Sequence, residues 1–543
     1  MKNNNIQGNI LDIVKREIFQ GEIIIENDKI IEIVKKEVKS NNYILPGLID
    51  AHVHIESTML TPCEFSRLAV KNGTVAVVAD PHEIANVCGI KGVEFMLKNA
   101  EKTPLKTYIV APSCVPATKF DIFGKIISSE NIEYLFEKYN LKALGEVMDY
   151  PAVINGESEI LEKIALAKKF NAVVDGHAPG LTLEENLKYA NAGISTDHEC
   201  SNIEEAIDKI KCGMKIQIRE GSAAQNFDAL SSLITSHNQD VMLCTDDSHP
   251  DDLIEIGHIN KIVKKAIKNG LNIFDIICAA SLNAIKHYKL EVGCLQVGDF
   301  ADFIIVDNLQ DFNILDTYIN GKQVFSNGRV LFQTPKVIPI NNFITQKISL
   351  KDVEIKSENR QIRVIEVIDK ELLTEQFITK PLISDGKIIS DLNNDILKIV
   401  VVNRYEKAKP AVGFINGFGL TAGALASSVS HDSHNIIAVG TDDQSIVNAI
   451  NELIENKGGL TYVKDKDYYT IPLEIAGLMS TKGAEEIAEI YKELNKIIKI
   501  NGCKLSSAFM TMAFMSLVVI PKLKINANSL FDVEKFNYVN LFI

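Results

Sequence analysis

Between residues 46 and 290 the chain alternates short apolar runs with amphipathic stretches eight times, and that rhythm restricts its fold more than any other feature. The apolar runs are Leu48 to His54, Thr74 to Asp80, Thr107 to Ser113, Ala143 to Val147, Ala172 to Asp175, Gly193 to Asp197, Lys215 to Arg219 and Val241 to Thr245. Helical patterns such as Glu157 to Phe170 and Asn202 to Cys212 lie between most of them. Eight strands alternating with helices over about 250 residues have the length of a (β/α)8 barrel. A doubly wound open sheet is the alternative, but it would rarely place polar residues at so many strand ends.

The polar residues at those ends are the ones that carry chemistry. The first run closes on His52-Val53-His54, and residues two apart in a strand share a face. The fourth ends at Glu146, the fifth at Asp175-Gly176-His177, the sixth at Asp197-His198-Glu199 and the eighth at Asp246-Asp247-Ser248-His249. Barrel enzymes assemble their active sites at the C-terminal strand ends. Imidazole and carboxylate together suit zinc, manganese or iron. Four histidines, one bridging carboxylate and one terminal aspartate are enough for two ions. A barrel that had become purely structural would be expected to lose such ligands, and here His52, His54, Glu146, His177, His198 and Asp246 are all present.

Two strand-rich pieces flank the barrel. Gly21 to Ile25 and Lys29 to Val34 read as a hairpin around Asn27-Asp28, and a similar pattern returns near 291–331, with a second turn at Ile319 to Lys322. The expected architecture is therefore α/β: a (β/α)8 metallo-hydrolase barrel over 46–290, a small β-sandwich domain from 1–45 plus 291–340, and a C-terminal α+β domain over 341–543. In the last part, strands Ile362 to Val367 and Ile396 to Val402 precede helical patterns at Gln444 to Asn456 and Lys482 to Lys499.

Composition narrows the partners. Asp and Glu (71) exceed Lys and Arg (57), for a net charge of −14, which argues against a nucleic-acid partner. Nine scattered cysteines without a CxxC pair fit a reducing compartment, and the N-terminus has no apolar signal-peptide core, so a cytoplasmic location is expected. The longest apolar run, near Ala513 to Ile520, is too short to span a bilayer, so no membrane association is expected.

Longer blocks carry a family resemblance. Pro46 to Thr58, PGLIDAHVHIEST, resembles the first-strand signature of the amidohydrolase superfamily. HIESTMLTP (His54 to Pro62), ADPHEIANVCG (Ala79 to Gly89), GEVMDYP (Gly145 to Pro151), DGHAPG (Asp175 to Gly180), STDHE (Ser195 to Glu199), VVIPKLKI (Val518 to Ile525) and FDVEKF (Phe531 to Phe536) are similar to the adenine deaminase family. The resemblance implies hydrolysis of adenine to hypoxanthine and ammonia in purine salvage, by a hydroxide generated between two divalent metals, manganese or iron before zinc, in a homo-oligomer. A deaminase or cyclic amidohydrolase acting on another purine or heterocycle is the competing reading. His52, His54 and Asp246 would hold one ion, His177 and His198 the other, and Glu146 would bridge. Relatives that bridge with a carboxylated lysine carry it on the fourth strand; here Lys142 lies at that strand's start, away from the metal end.

Mechanism then asks for acids and bases. Asp246, or Glu146, would take the proton of the attacking hydroxide and pass it to the leaving amine. Glu83 and Glu56 would shuttle protons to the ring nitrogens, or orient metal-bound imidazoles instead. Asp80 and His82, closing the second strand, would face the substrate, and Arg219 would contact it or pair with a loop carboxylate. In the C-terminal domain, Ser430-His431-Asp432-Ser433-His434 reads as a cap bringing His431 and His434 to the substrate, as a further ion site, or as a solvated turn. His237, His258 and His287 are assigned no catalytic role.

Overall fold

The computed structural model describes residues 4–222 and 224–543. The chain opens with β1 (Asn4–Asp12), β2 (Glu17–Glu26), β3 (Lys29–Lys35) and β4 (Tyr43–Pro46). The turn between β2 and β3 uses Asn27 and Asp28 in the left-handed region, φ 48° and 71°, which short polar side chains tolerate.

The barrel strands follow as β5 (Leu48–Val53), β6 (Thr74–Ala79), β7 (Lys106–Ile109), β8 (Ala143–Val147), β9 (Val173–Gly176), β10 (Thr196–Asp197), β11 (Lys215–Arg219) and β12 (Val241–Cys244). All eight expected strands are present, the third and sixth shorter than their apolar runs. Parallel ladders join β5–β6–β7, β8–β9 and β10–β11–β12. Ala111 pairs with Leu144 to connect β7 to β8, and Ser195 N donates to Val174 O at 2.9 Å between β9 and β10. Asp246 N donates to His52 O at 3.0 Å, tying the eighth strand to the first and closing the ring. Strands covered on both faces read as continuous apolar runs, and β6, TVAVVA, is buried throughout. The surrounding helices bury one stripe each: in Ile259–Lys268 these are Ile259, Ile262, Val263 and Ala266, the i, i+3, i+4, i+7 pattern.

After the barrel come β13 (Phe303–Val306), β14 (Ile314–Ile319), β15 (Lys322–Ser326) and β16 (Arg329–Val330). β4 pairs with β1 on one side and β13 on the other, so the two flanks share one eight-stranded sheet, ordered β16-β15-β14-β13-β4-β1-β2-β3. Ile10, Ile23 and Ile25 from the first flank and Phe303 and Tyr318 from the second meet in one apolar cluster.

The remaining chain builds a second eight-stranded sheet, with Ile362–Val367, Ala411–Asn416, Ile396–Val402 and Ile436–Gly440 as consecutive neighbours. Helix Asp443–Asn456 covers it through Ile446, Ile450 and Leu453. Two of its excursions bear on function: the loop 428–435, and the helix Ala508–Ala513 with the turn Phe514–Ser516 behind it. Among the described residues no helix is long and apolar enough to cross a membrane.

Candidate metal centre

The six residues singled out at strand ends converge. His52 and His54 leave the end of β5 with their Nε2 atoms 3.1 Å apart. His54 Nε2 lies 3.1 Å from Asp246 Oδ1 and 3.2 Å from Glu146 Oε1. Glu146 Oε2 lies 2.8 Å from His177 Nδ1 and 3.2 Å from His198 Nε2. The Glu146 carboxylate therefore stands between two groups of ligands, and all but His177 are buried.

This donor set fits divalent cations on its own chemistry. His54 Nδ1 sits 3.1 Å from the backbone oxygen of Asp80. A carbonyl can only accept, so Nδ1 carries a proton, and the neutral ring then presents its lone pair at Nε2. That lone pair faces a second imidazole nitrogen and two carboxylates, the arrangement that ligands adopt around a shared cation. Burial alone would raise the Glu146 carboxyl, but His177, His198 and His54 hold it well below the usual carboxylate range. Asp246 is likewise held low, burial being outweighed by Arg219 and His54.

Buried polar groups hold these ligands from behind. Asp50 accepts from Thr245 N at 3.1 Å and from His52 N at 3.3 Å, linking the first strand to the eighth beneath both ligand sets. His258, which has no place in the catalytic reading, lies 2.8 Å from Asp50 and 2.7 Å from the Thr74 hydroxyl. Lys209 and Asp197 are fully buried and 2.9 Å apart. Asp197 accepts from Ala178 N at 2.9 Å and Glu199 N at 2.8 Å, the residues just after His177 and His198. Asp246 adopts φ 56°, a left-handed conformation that is tolerated at functional sites when the surroundings impose it.

Several expected contacts fall elsewhere. β6 ends at Ala79, and His82 and Glu83 instead open the short helix His82–Cys88. Asp80 does not line the cavity; its Oδ2 accepts from Glu146 N at 2.9 Å. That approach requires Gly145, where a Cβ would come within 2.1 Å of the same oxygen. Glu56 is also behind the wall. Burial first, and then the neighbouring Glu83 charge, push its carboxyl up to about 8. Arg219 is at the wall, but its guanidinium is committed to Glu199 and to Asp246 at 2.7 Å. His434 does not reach the cavity; it is fully buried with Nε2 3.8 Å from Glu83. The loop 430–434 is no solvated turn, since every residue in it is buried.

What does line the cavity is an arc of ionisable groups that starts at Glu146 and ends at Asp247, next to Asp246. His82 Nδ1 is 3.5 Å from Glu146, and His82 Nε2 is 3.9 Å from Asp432. His431 Nδ1 is 3.9 Å from Asp432 and 3.8 Å from Glu83. Ser57 Oγ then lies 2.7 Å from Glu83 and 2.5 Å from Asp247. The steps of 3.5–3.9 Å are too long for direct hydrogen bonds and leave donors and acceptors for a ligand between them. A hydroxyl has a single proton to donate, so the two contacts of Ser57 require a carboxylic O–H on one partner. Burial pushes the Glu83 carboxyl up, the direction that suits it to that role.

Over this arc lies an apolar roof of Leu372, Phe514, Leu517 and Ile520, all from the C-terminal domain, with Met148 on the barrel side. The enclosed space is about 30 Å³. A flat heteroaromatic ring presents polar atoms at its edge and carbon at its faces, which is the division that this arc and roof offer.

Glu199 and Asp247 had no role in the sequence reading, and Asp432 entered it only as part of the loop 430–434. The first two stand beside metal ligands at strand ends, a signal that could have been used. The roof had none, because an apolar stretch near 513–520 reads equally well as core.

Comparison with known proteins follows the same division of the chain. Residues 43–324 match the amidohydrolase family model, and residues 371–537 match the model of the adenine deaminase C-terminal domain. The chain is 50% identical over 547 residues to an adenine deaminase of Methanosarcina mazei, covering 98% of this chain and 99% of the relative. It is 46% identical to an adenine deaminase of Borreliella burgdorferi, covering 98% and 99%, and 42% identical to one of Salinibacter ruber, covering 99% of each.

Proposed function

The chain belongs to the adenine deaminase family of amidohydrolases, and on that footing we propose that it hydrolyses adenine to hypoxanthine and ammonia, for purine salvage, with two divalent cations, manganese or iron, as cofactor. The observation that carries this reading is the convergence of His52, His54, Glu146, His177, His198 and Asp246 beneath an arc suited to a ring edge. His52, His54 and Asp246 would hold one ion, His177 and His198 the other, with Glu146 between them. Cations held there would lower the pKa of a water from about 15.7 towards ~7 and so supply hydroxide at neutral pH.

The protein's own groups then manage protons and position. The water oxygen becomes the carbonyl oxygen at C6, and the C6–N6 bond breaks. Ammonia leaves with both hydrogens of the amine and one from water, and the other water hydrogen ends on N1 of hypoxanthine. Asp246, kept ionised beside Arg219, accepts the first proton and delivers it to the amine. Glu83 carries a proton in reach of the ring and serves N1. His82, Asp432 and His431 meet the remaining edge, and the roof presses on the ring face and excludes bulk water. Arg219 acts on the carboxylates rather than on adenine.

A spectrophotometric assay of adenine conversion on chelator-treated protein tests this. Activity should vanish on chelation and return with Mn2+ or Fe2+, and less well with Zn2+. Full activity after complete removal of metal, or conversion of another heterocycle in place of adenine, contradicts the proposal.

A further inference from the structure

Behind His431 lies a second closed cavity, of about 20 Å³. Its wall is apolar apart from Ser57, Ser427, His249 and His431. A space of that size holds one water-sized molecule, since about 10–15 Å³ suffices. His431 lines both cavities: its Nδ1 faces Glu83 in the catalytic arc, and its Nε2 is buried without a partner. Ser57 belongs to the same arc and also borders the second chamber.

His249 Nδ1 lies 2.9 Å from the Tyr491 hydroxyl, and burial holds the His249 ring down to about 4, so that it is neutral. Tyr491 stands on the helix Ala484–Ile500, whose Glu489, Lys492, Glu493, Asn495, Lys496 and Lys499 line a surface groove of about 1090 Å³ together with Asp251. The first two cavities share His431, and the His249–Tyr491 pair stands between the chamber and the helix that borders the groove.

Deamination, on the reading above, makes two products inside a closed pocket. The flat one lies under the roof, and the small one needs another path. We propose that the chamber behind His431 receives the released ammonia and passes it by His249 and Tyr491 towards the surface groove, with His431 as the gate. Ammonia offers three donors and one acceptor, which matches a small apolar space with a few isolated hydroxyls and ring nitrogens.

This inference rests on the deamination reading, and one set of experiments separates the two. Ala513→Leu fills the chamber without altering any group of the catalytic pocket, and Met510→Phe does so with a smaller change of volume. Rapid-quench measurement of the first turnover of adenine should give a rate within about two-fold of the unaltered enzyme, while steady-state kcat falls about 10-fold or more, as expected when product release limits the cycle. Inhibition by added ammonium chloride should weaken in parallel, whereas inhibition by hypoxanthine should not. A route that only admitted water would leave ammonium inhibition intact, and that result overturns the proposal. So does an unchanged steady state, or a first turnover slowed as much as kcat, in whichever variant keeps its thermal melting profile. Absence of hypoxanthine in the first turnover of the unaltered enzyme sinks both the passage and the deamination reading.

Discussion

Glu146→Gln is expected to lower kcat/KM for adenine by at least about 10³-fold, the combined loss of a metal ligand and of acid–base assistance. The carboxylate lies within 3.2 Å of His54, His177 and His198, and it is the one anion placed between the two ligand groups. A neutral amide cannot offset the repulsion of two cations, and its NH2 would point hydrogens at ring nitrogens that should present lone pairs. Metal analysis of the purified variant should show less than the full complement of two ions per chain. The fold should persist, since the backbone amide of residue 146 still donates to Asp80. A variant that keeps both ions and near-normal turnover would refute the bridging role.

Lys209→Met should destabilise the protein by about 3–5 kcal/mol in urea denaturation, the range for breaking a buried ion pair from one side. The cost comes from Asp197, which stays behind as an unpaired carboxylate in a fully buried position. Loosening Asp197 also frees the backbone that follows His177 and His198, so metal affinity should fall about 10–100-fold. Replacing both partners, Asp197→Asn with Lys209→Met, should recover part of the stability, because no charge remains to be desolvated.

The same pair dictates a pH dependence. Burial alone would raise Asp197, but Lys209 outweighs it and holds the folded-state value below the ordinary one. Below about pH 4 the unfolded chain therefore binds more protons than the native one, and the contribution of Asp197 is lost as pH falls further. Without Lys209 the largest contribution opposing burial is gone, so the native-state value should rise and the acid-linked stabilisation diminish. The deficit of Lys209→Met should then be largest at neutral pH and shrink on acidification. A deficit that is independent of pH would mean that Lys209 acts through packing alone.

Much of this is legible in the sequence because its causes are local. Apolar runs of strand length alternate with 3.6-residue periodicity, and a chain with that alternation has few ways to bury its apolar surface other than a barrel sheathed in helices. The HxH spacing puts two imidazoles on one face of β5, and barrel topology sends every strand end to the same mouth. Gathering His52, His54, Glu146, His177, His198 and Asp246 therefore needs nothing beyond the strand assignments. The turn at Asn27-Asp28 and the helix 443–456 are local in the same sense.

The roles of the other charged residues depend on three-dimensional packing. Asp80 and Glu56 have the strand-end positions of substrate ligands, yet one holds a backbone amide and the other is buried against Glu83. Asp432 and His431 reach the pocket from more than 280 residues beyond Glu146, and the roof from Phe514 to Ile520 comes from farther still. No periodicity encodes such meetings, because they follow from how the C-terminal sheet docks on the barrel mouth. By itself the sequence determined a barrel and the set of candidate metal-binding side chains at its mouth. The docking of the C-terminal domain decided which acids face a substrate, which serve as props, and what closes over them, since burial and partner distance arise only when distant segments pack together.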